Sequence, residues 1–148
     1  MYDSREDTNQ HIKAVQRFMA VAIMSLSERR QAHDASKLQS PEKEMFDEYT
    51  PMLRVLTYGS DEYKATLEKM GEALKHHYEN NSHHPEHYAN GIDGMSLLDL
   101  IEMFCDWQAA SLRHENGDFV KSLEINKSRF GMSDQLYQIF LNTLKELW

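Results

Sequence analysis

Apolar residues recur along this chain with the three- and four-residue spacing of amphipathic helices. The spacing predicts a first helix from about Thr8 to Glu28 and a last helix from Asp134 to Leu147. Breaks are scarce, since the chain has only 6 glycines and 3 prolines. The pattern therefore predicts an all-α protein whose helical stripes face a core. The stripe of the first helix consists of Ile12, Val15, Met19, Ala22, Ile23 and Leu26.

Capping signals divide the middle of the chain into further helices. A short helix is predicted over Arg30–Leu38, and Ser40-Pro41 favours the start of another that should end near Thr50-Pro51. Ser60 and Ser96 are N-cap candidates, the second with a capping box completed by a carboxylate three residues later. We expect six to seven helices in one domain, residues 1–148. The other predicted features are a turn at Tyr58-Gly59-Ser60, one helical face through Tyr63, Leu67, Met70, Leu74 and His77, a loop over 83–94, a helix to about His114 stopped by Asn116-Gly117, and a helix over Phe119–Arg129.

Composition and charge narrow the classes of function. The formal net charge of −8 makes binding to bulk nucleic acid a poor expectation, because the phosphate backbone attracts basic proteins. No window of about 18 apolar residues exists, so no membrane span is predicted and we expect a cytoplasmic protein. Cys105, the one cysteine, lies in an apolar stretch and is expected to be buried.

Histidine is unusually frequent and clustered. The chain contains 8 histidines, and the adjacent pair His33-Asp34 combines an imidazole with a carboxylate, two donors that suit zinc, manganese or iron. His11 lies at the edge of the first apolar stripe, and Asp106 lies in a later helix. The clustered members are His76, His77, His83, His84 and His87.

The order His, His-Asp, His, His-His, Asp resembles that of the HD-domain superfamily of metal-dependent phosphohydrolases. Residues 33–37, His-Asp-Ala-Ser-Lys, are similar to the His-Asp-x-x-Lys segment of the branch that degrades cyclic dinucleotides. Residues 83–86 and 91–95 resemble its His-His-Glu segment and glycine-containing loop, and residues 100–106 resemble the helix that delivers its final Asp. The chain also looks like a small uncharacterised family of phages and bacteria with similar His-Asp-x-Ser-Lys and His-His-Pro-Glu-His segments.

The resemblance implies an HD-domain-like helical bundle that binds one or two divalent transition-metal ions, of Fe, Mn, Zn, Co or Ni. Asp34 would act catalytically by bridging two ions, whose hydroxide would attack phosphorus, and Lys37 would hold a phosphate oxygen. His76 remains an alternative to His77, and Asp99 an alternative to Asp106. The implied metal ligands are His11, His33, Asp34, His77, His83, His84 and Asp106.

The resemblance further implies a small phosphorylated substrate, for which we expect a nucleotide. Candidate substrate-binding residues are Lys37, His87 and Arg113. The protein could form an oligomer, and it could be phage-encoded and act in the host cytoplasm. Two other functions remain open on the same ligands: a non-catalytic metal-containing module that binds a ligand or a protein, and a di-iron oxygenase of the HD type. A solvated polar stripe is the plainer interpretation of Asp99, Glu102, Asp106 and Arg113.

Overall fold

The structure, a computed structural model, describes residues 2–57, 59–113 and 117–148. Within these ranges the chain is all-helical and has no strand, as predicted. Predictions at Tyr58, His114 and Asn116 lie outside the described residues. The seven α-helices of this part are α1 (Arg5–Ala32), α2 (Glu42–Val55), α3 (Asp61–Lys69), α4 (Gly71–Asn80), α5 (Leu97–Ser111), α6 (Phe119–Phe130) and α7 (Asp134–Leu147), and 3-10 turns lie at Ala35–Leu38, Pro85–His87 and Gly91–Gly94.

The chain divides into two units, Met1–His33 and Asp34–Trp148. The first unit contains α1, in which no residue is buried, so the prediction of a core-facing stripe is wrong for this helix. A periodic stripe shows that a helix has an apolar face, but it does not show what covers that face. None of the described helices is long and apolar enough to cross a membrane.

Three predicted helix boundaries in the middle of the chain are wrong. The short helix over Arg30–Leu38 is absent, because α1 continues to Ala32 and a 3-10 turn follows the sharp bend at Asp34. Helix α2 continues through Pro51, which removes one backbone donor, so packing of the helix outweighs that local cost. The predicted continuous helix through Met70 is instead α3 and α4, which meet at this fully buried side chain.

The core of the second unit lies between α5, α6 and α7. Its members pack aromatic rings against one another, for example Phe104 against Phe119 with 5.1 Å between ring centroids. This core fixes the position of α5, whose neighbouring face carries acidic side chains. The prediction that Cys105 is buried is wrong, because it lies on the exposed side of α5. The buried core residues are Met103, Phe104, Trp107, Phe119, Leu123, Met132 and Phe140.

Two capping signals gave correct helix starts, whereas the prediction at Ser40-Pro41 is wrong: α2 begins at Glu42, Pro41 is its N-cap residue, and no side chain caps it. Ser60 Oγ accepts a hydrogen bond from the Tyr63 backbone N–H, at 3.1 Å, and starts α3. Ser96 and Asp99 form the predicted capping box of α5. The last helix has the predicted bounds.

Candidate metal centre

Four side chains of the second unit converge on a small volume. They come from three places: Asp34 precedes the first 3-10 turn, His77 lies on α4, and His83 and His84 lie in the loop after α4. One donor atom from each lies within 4.8 Å of the donor atoms of the other three. Three imidazoles and a carboxylate form a donor set that suits zinc, iron, manganese or cobalt.

Two distances in this cluster match the edges of a tetrahedral metal site. Asp34 Oδ1 lies 3.4 Å from His77 Nε2 and 3.5 Å from His83 Nε2. Donors in a tetrahedral zinc site, at about 2.0–2.1 Å from the ion, are about 3.3 Å apart. His77 Nε2 and His84 Nε2 are 2.9 Å apart, the distance of a hydrogen bond between the two rings. The residues present therefore fit a divalent transition metal.

Asp34 has an unusual backbone conformation. Its φ of +56° and ψ of +15° place it in the left-handed region, and no other described non-glycine residue has a positive φ. Aspartate tolerates this region better than most residues, and such conformations cluster at functional sites. The bend turns the chain out of α1 and into the 3-10 turn that contains Lys37. Lys37 Nζ donates to Asp34 Oδ2 at 2.6 Å, so the two carboxylate oxygens of Asp34 face different neighbours.

Glu42, at the start of α2, orients His77. The Glu42 side chain is fully buried, and its Oε2 accepts a hydrogen bond from His77 Nδ1 at 2.9 Å. Because a carboxylate only accepts, the His77 proton resides on Nδ1 and the Nε2 lone pair points into the cluster. Ser36 Oγ donates to the same Glu42 oxygen at 3.0 Å, and Asn81 Nδ2 donates to Ser36 Oγ at 2.9 Å. These bonds hold the carboxylate and the ring in one arrangement.

Glu102, on α5, bears the same relation to His83. Its Oε1 lies 3.2 Å from His83 Nδ1, and its side chain is only 13% exposed. A proton on Nδ1 again leaves Nε2 free of hydrogen and directed at Asp34. Metal-binding histidines characteristically donate their second N–H to a carboxylate in this way. The cluster therefore contains two such carboxylate–histidine pairs.

The electrostatics favour neutral imidazoles, the form that binds a metal. Burial, and then the charges of His83 and His77, lower the pKa of His84 to about 3. Burial and the Lys37 ammonium also hold the pKa of His77 below its usual range, although Asp34 and Glu42 act in the opposite direction. Burial opposes ionisation of Glu42, but hydrogen bonds from His76, Ser36 and His77 outweigh it and lower the pKa of this carboxyl group.

The two aspartates of α5 have different surroundings. A donor oxygen of Asp106 lies within 4.8 Å of one of Asp34, and the Asp106 charge acts on His84. Asp99 is 2% exposed and accepts hydrogen bonds from Ser82 and Tyr88 as well as from Ser96 of the capping box. Asp106 thus lies beside the candidate metal-binding cluster, and Asp99 hydrogen-bonds the loop to α5.

His76 and His77 also separate. His77 is 1% exposed and contributes Nε2 to the cluster, whereas His76 is 40% exposed and donates from Nδ1 to Glu42 Oε1 at 2.7 Å. The geometry therefore favours His77 as a ligand. His76 is an outer partner of the carboxylate that orients it.

The remaining candidates are not members of this four-residue cluster. His11 is exposed on α1, and His33 is the last residue of the same unit, joined by the peptide bond to Asp34. His87 is exposed and donates from Nδ1 to the Tyr78 carbonyl at 2.8 Å, a contact that anchors the loop to α4. Arg113 is exposed just beyond the end of α5. Their proposed roles stay predictions.

Sequence reasoning missed the two orienting carboxylates. Glu42 is 35 residues from His77, and no local pattern links them. Glu102 does fall on the polar stripe of α5, between Asp99 and Asp106, so its spacing was a usable signal. The structure shows that this part of the stripe is not a solvated face, since all three side chains are buried or half-buried.

Replacing either orienting carboxylate should weaken metal binding without abolishing it. We expect Glu42→Gln and Glu102→Gln each to raise the dissociation constant of the metal by about 10–100-fold, the usual effect of losing an outer partner. Titration with a competing chelator measures this. Glu44→Gln, at an exposed position of the same helix α2, is the matched control. Unchanged affinity in both variants would contradict the orienting role.

Comparisons with known proteins show the family of this chain but not its activity. No curated protein and no solved structure matches it. One family model matches residues 1–146, almost the whole chain. The chain therefore belongs to DUF5662, a family of unknown function.

Proposed function

We propose that this protein is a metal-dependent phosphohydrolase that acts in the cytoplasm on a nucleotide or a related small phosphate ester. One observation carries the proposal: His77 Nε2 and His83 Nε2 converge on Asp34 Oδ1, and each ring is held from behind by a buried or half-buried carboxylate. Two lone pairs directed at one carboxylate oxygen favour a cation between them. The resemblance of the His-Asp and His-His segments to the HD superfamily supports the same chemistry.

In this proposal the side chains around the cluster have separate roles. Asp34, His77, His83 and His84 would hold the ion, and Asp106 borders the same space. A bound divalent ion would lower the pKa of a water molecule and polarise a phosphoryl oxygen. Lys37, which packs over the Phe46 ring with Nζ 5.1 Å from its centroid, would move its ammonium from Asp34 to a phosphate oxygen of the substrate.

The test measures metal content and phosphate release together. Purified protein loaded with Mn²⁺, Co²⁺ or Fe²⁺ should release phosphate or a nucleotide product from a panel of mononucleotides, nucleoside triphosphates and cyclic dinucleotides. Lys37→Met keeps the aliphatic stem but removes the charge. We expect it to lower kcat/KM by about 100-fold or more while metal content is retained, because a charge that stabilises the transition state is lost. Absence of turnover by the loaded protein on every substrate would refute the proposal.

The same donor set supports a second candidate, a structural metal site in a non-catalytic module. Three histidines and one aspartate would complete a tetrahedral shell and leave no position for water or substrate. A hydrolase requires instead that these four residues leave a further coordination position for water or substrate.

Cobalt substitution separates these candidates. Four-coordinate Co²⁺ absorbs visible light strongly, and six-coordinate Co²⁺ absorbs weakly. We expect the weak spectrum for the hydrolase, together with a change when inorganic phosphate is added. A strong spectrum that phosphate does not alter would favour the structural site.

A further inference from the structure

Helix α1 exposes a continuous apolar segment. Residues 18–24 read Phe-Met-Ala-Val-Ala-Ile-Met, and no residue of the helix is buried. A helix that is apolar around its circumference is normally enclosed by other protein, and a contiguous exposed apolar patch marks an interaction site. The large exposed members are Phe18 (65%), Met19 (59%), Val21 (61%), Ile23 (64%) and Met24 (64%).

The spacing within α1 identifies the kind of partner. Ile12, Val15, Met19, Ala22 and Leu26 are separated by three, four, three and four residues, the spacing of the seam of a coiled coil. Such a seam packs against a second helix with the same spacing. A second copy of this chain supplies that helix with no further component, and symmetric dimers are the commonest assemblies of identical chains.

Charge sets the direction of the two helices. The first turn of α1 contains Glu6 and Asp7, and the last turn contains Arg29 and Arg30. An antiparallel arrangement brings each acidic end towards the basic end of the partner helix and opposes the two helix dipoles. A parallel arrangement would place like charges together at both ends.

We propose that α1 pairs antiparallel with α1 of a second copy, so that the protein is a homodimer. With the two-fold axis between Ala20 and Val21, Val15 faces the partner's Leu26 and Met19 faces the partner's Ala22. Both of these layers join a large and a smaller side chain, the combination that interdigitates well. This inference is independent of the metal centre and of the proposed activity.

Sedimentation equilibrium of the full chain tests the dimer. We expect wild-type protein to sediment as a dimer and Met19→Lys to raise the dissociation constant by about tenfold or more, because a charge is placed in the centre of the seam. Gln10→Lys adds the same charge on the outward side of α1 and should leave the dimer unchanged. Met19 is already largely exposed, so the lysine should be tolerated, and circular dichroism verifies that helix content is retained.

Cross-linking tests the direction. In a Cys105→Ser background, Val15→Cys protein mixed with Leu26→Cys protein should form a disulfide-linked dimer on oxidation, whereas each variant alone should not. Cross-linking of each variant alone would show a parallel pair and overturn the antiparallel arrangement. A wild-type protein that remains monomeric at the highest concentration tested would overturn the dimer itself.

Discussion

Asp34→Asn should abolish specific metal binding and leave the fold in place. Asparagine tolerates the left-handed backbone conformation at this position, so the bend after α1 is preserved. The substitution removes the negative charge that faces His77 and His83 at 3.4 and 3.5 Å. We expect the dissociation constant of the metal to rise by more than about 100-fold, beyond the 10–100-fold that follows loss of an outer partner.

Thermal unfolding gives a readout that does not depend on activity. Since the ion binds the folded chain, a metal at 1,000 times its dissociation constant stabilises wild-type protein by about 4 kcal/mol, and Tm rises accordingly. Asp34→Asn should have a metal-free Tm close to that of the wild type and should gain little on adding metal. Asp93→Asn, an exposed position in the 3-10 turn before α5, should behave as the wild type. If the Asp34→Asn protein kept the metal content and affinity of the wild type, Asp34 would not be a ligand and the proposed metal site would be refuted.

The parts of the fold that local sequence determines were predictable. Ser96 and Asp99 define the start of α5 because both capping hydrogen bonds are made within four residues. The break between α3 and α4 was not predicted, because the apolar face continues through Met70, which tertiary packing buries fully where the two helices meet. Pro51 predicted a wrong end for α2 for the same reason, because packing of the helix outweighs the tendency of proline to end it.

The candidate site, too, was predictable from the sequence only in part. The histidines and Asp34 were candidates because their order along the chain resembles that of the HD-domain superfamily. Their partners were not, since Glu42 reaches His77 across 35 residues and His83 depends on Glu102 of another helix. A helical wheel showed the acidic stripe of α5 but could not distinguish a solvated face from one that faces a loop. Only the packing of α5 against the core decides that.

Substitutions at Asp99 and Asp106, seven residues apart on α5, should have different effects. The first should lower the stability of the fold, and the second should lower metal affinity. Asp99 accepts from Ser82 Oγ at 2.7 Å, Tyr88 Oη at 2.9 Å and Ser96 N at 2.8 Å. Asp99→Asn places an N–H₂ group against some of these donors. We expect it to lower the free energy of unfolding by about 2–4 kcal/mol, because buried hydrogen bonds to a charged group are lost.

The effect of Asp99→Asn should depend on pH. Burial opposes ionisation of Asp99, but the hydrogen bonds from Ser96, Ser82 and Tyr88 outweigh it, and the pKa of Asp99 in the folded chain lies below its usual value. A depressed carboxyl pKa stabilises the folded state above the unfolded pKa, about 3.9, and this contribution is lost as pH falls towards the folded pKa. Urea unfolding should therefore show the full difference between wild type and variant at pH 7 and a smaller difference below pH 4.

Asp106→Asn should have the opposite profile. Its carboxylate borders Asp34 and acts on His84, so the variant should lose metal affinity while its metal-free stability falls less than that of Asp99→Asn. Chelator competition and urea unfolding on both variants give the comparison. If Asp99→Asn lost metal with unchanged stability while Asp106→Asn kept it, the two aspartates would have exchanged roles. Asp99 would then act on the metal site, and the placement of Asp106 beside it would be contradicted.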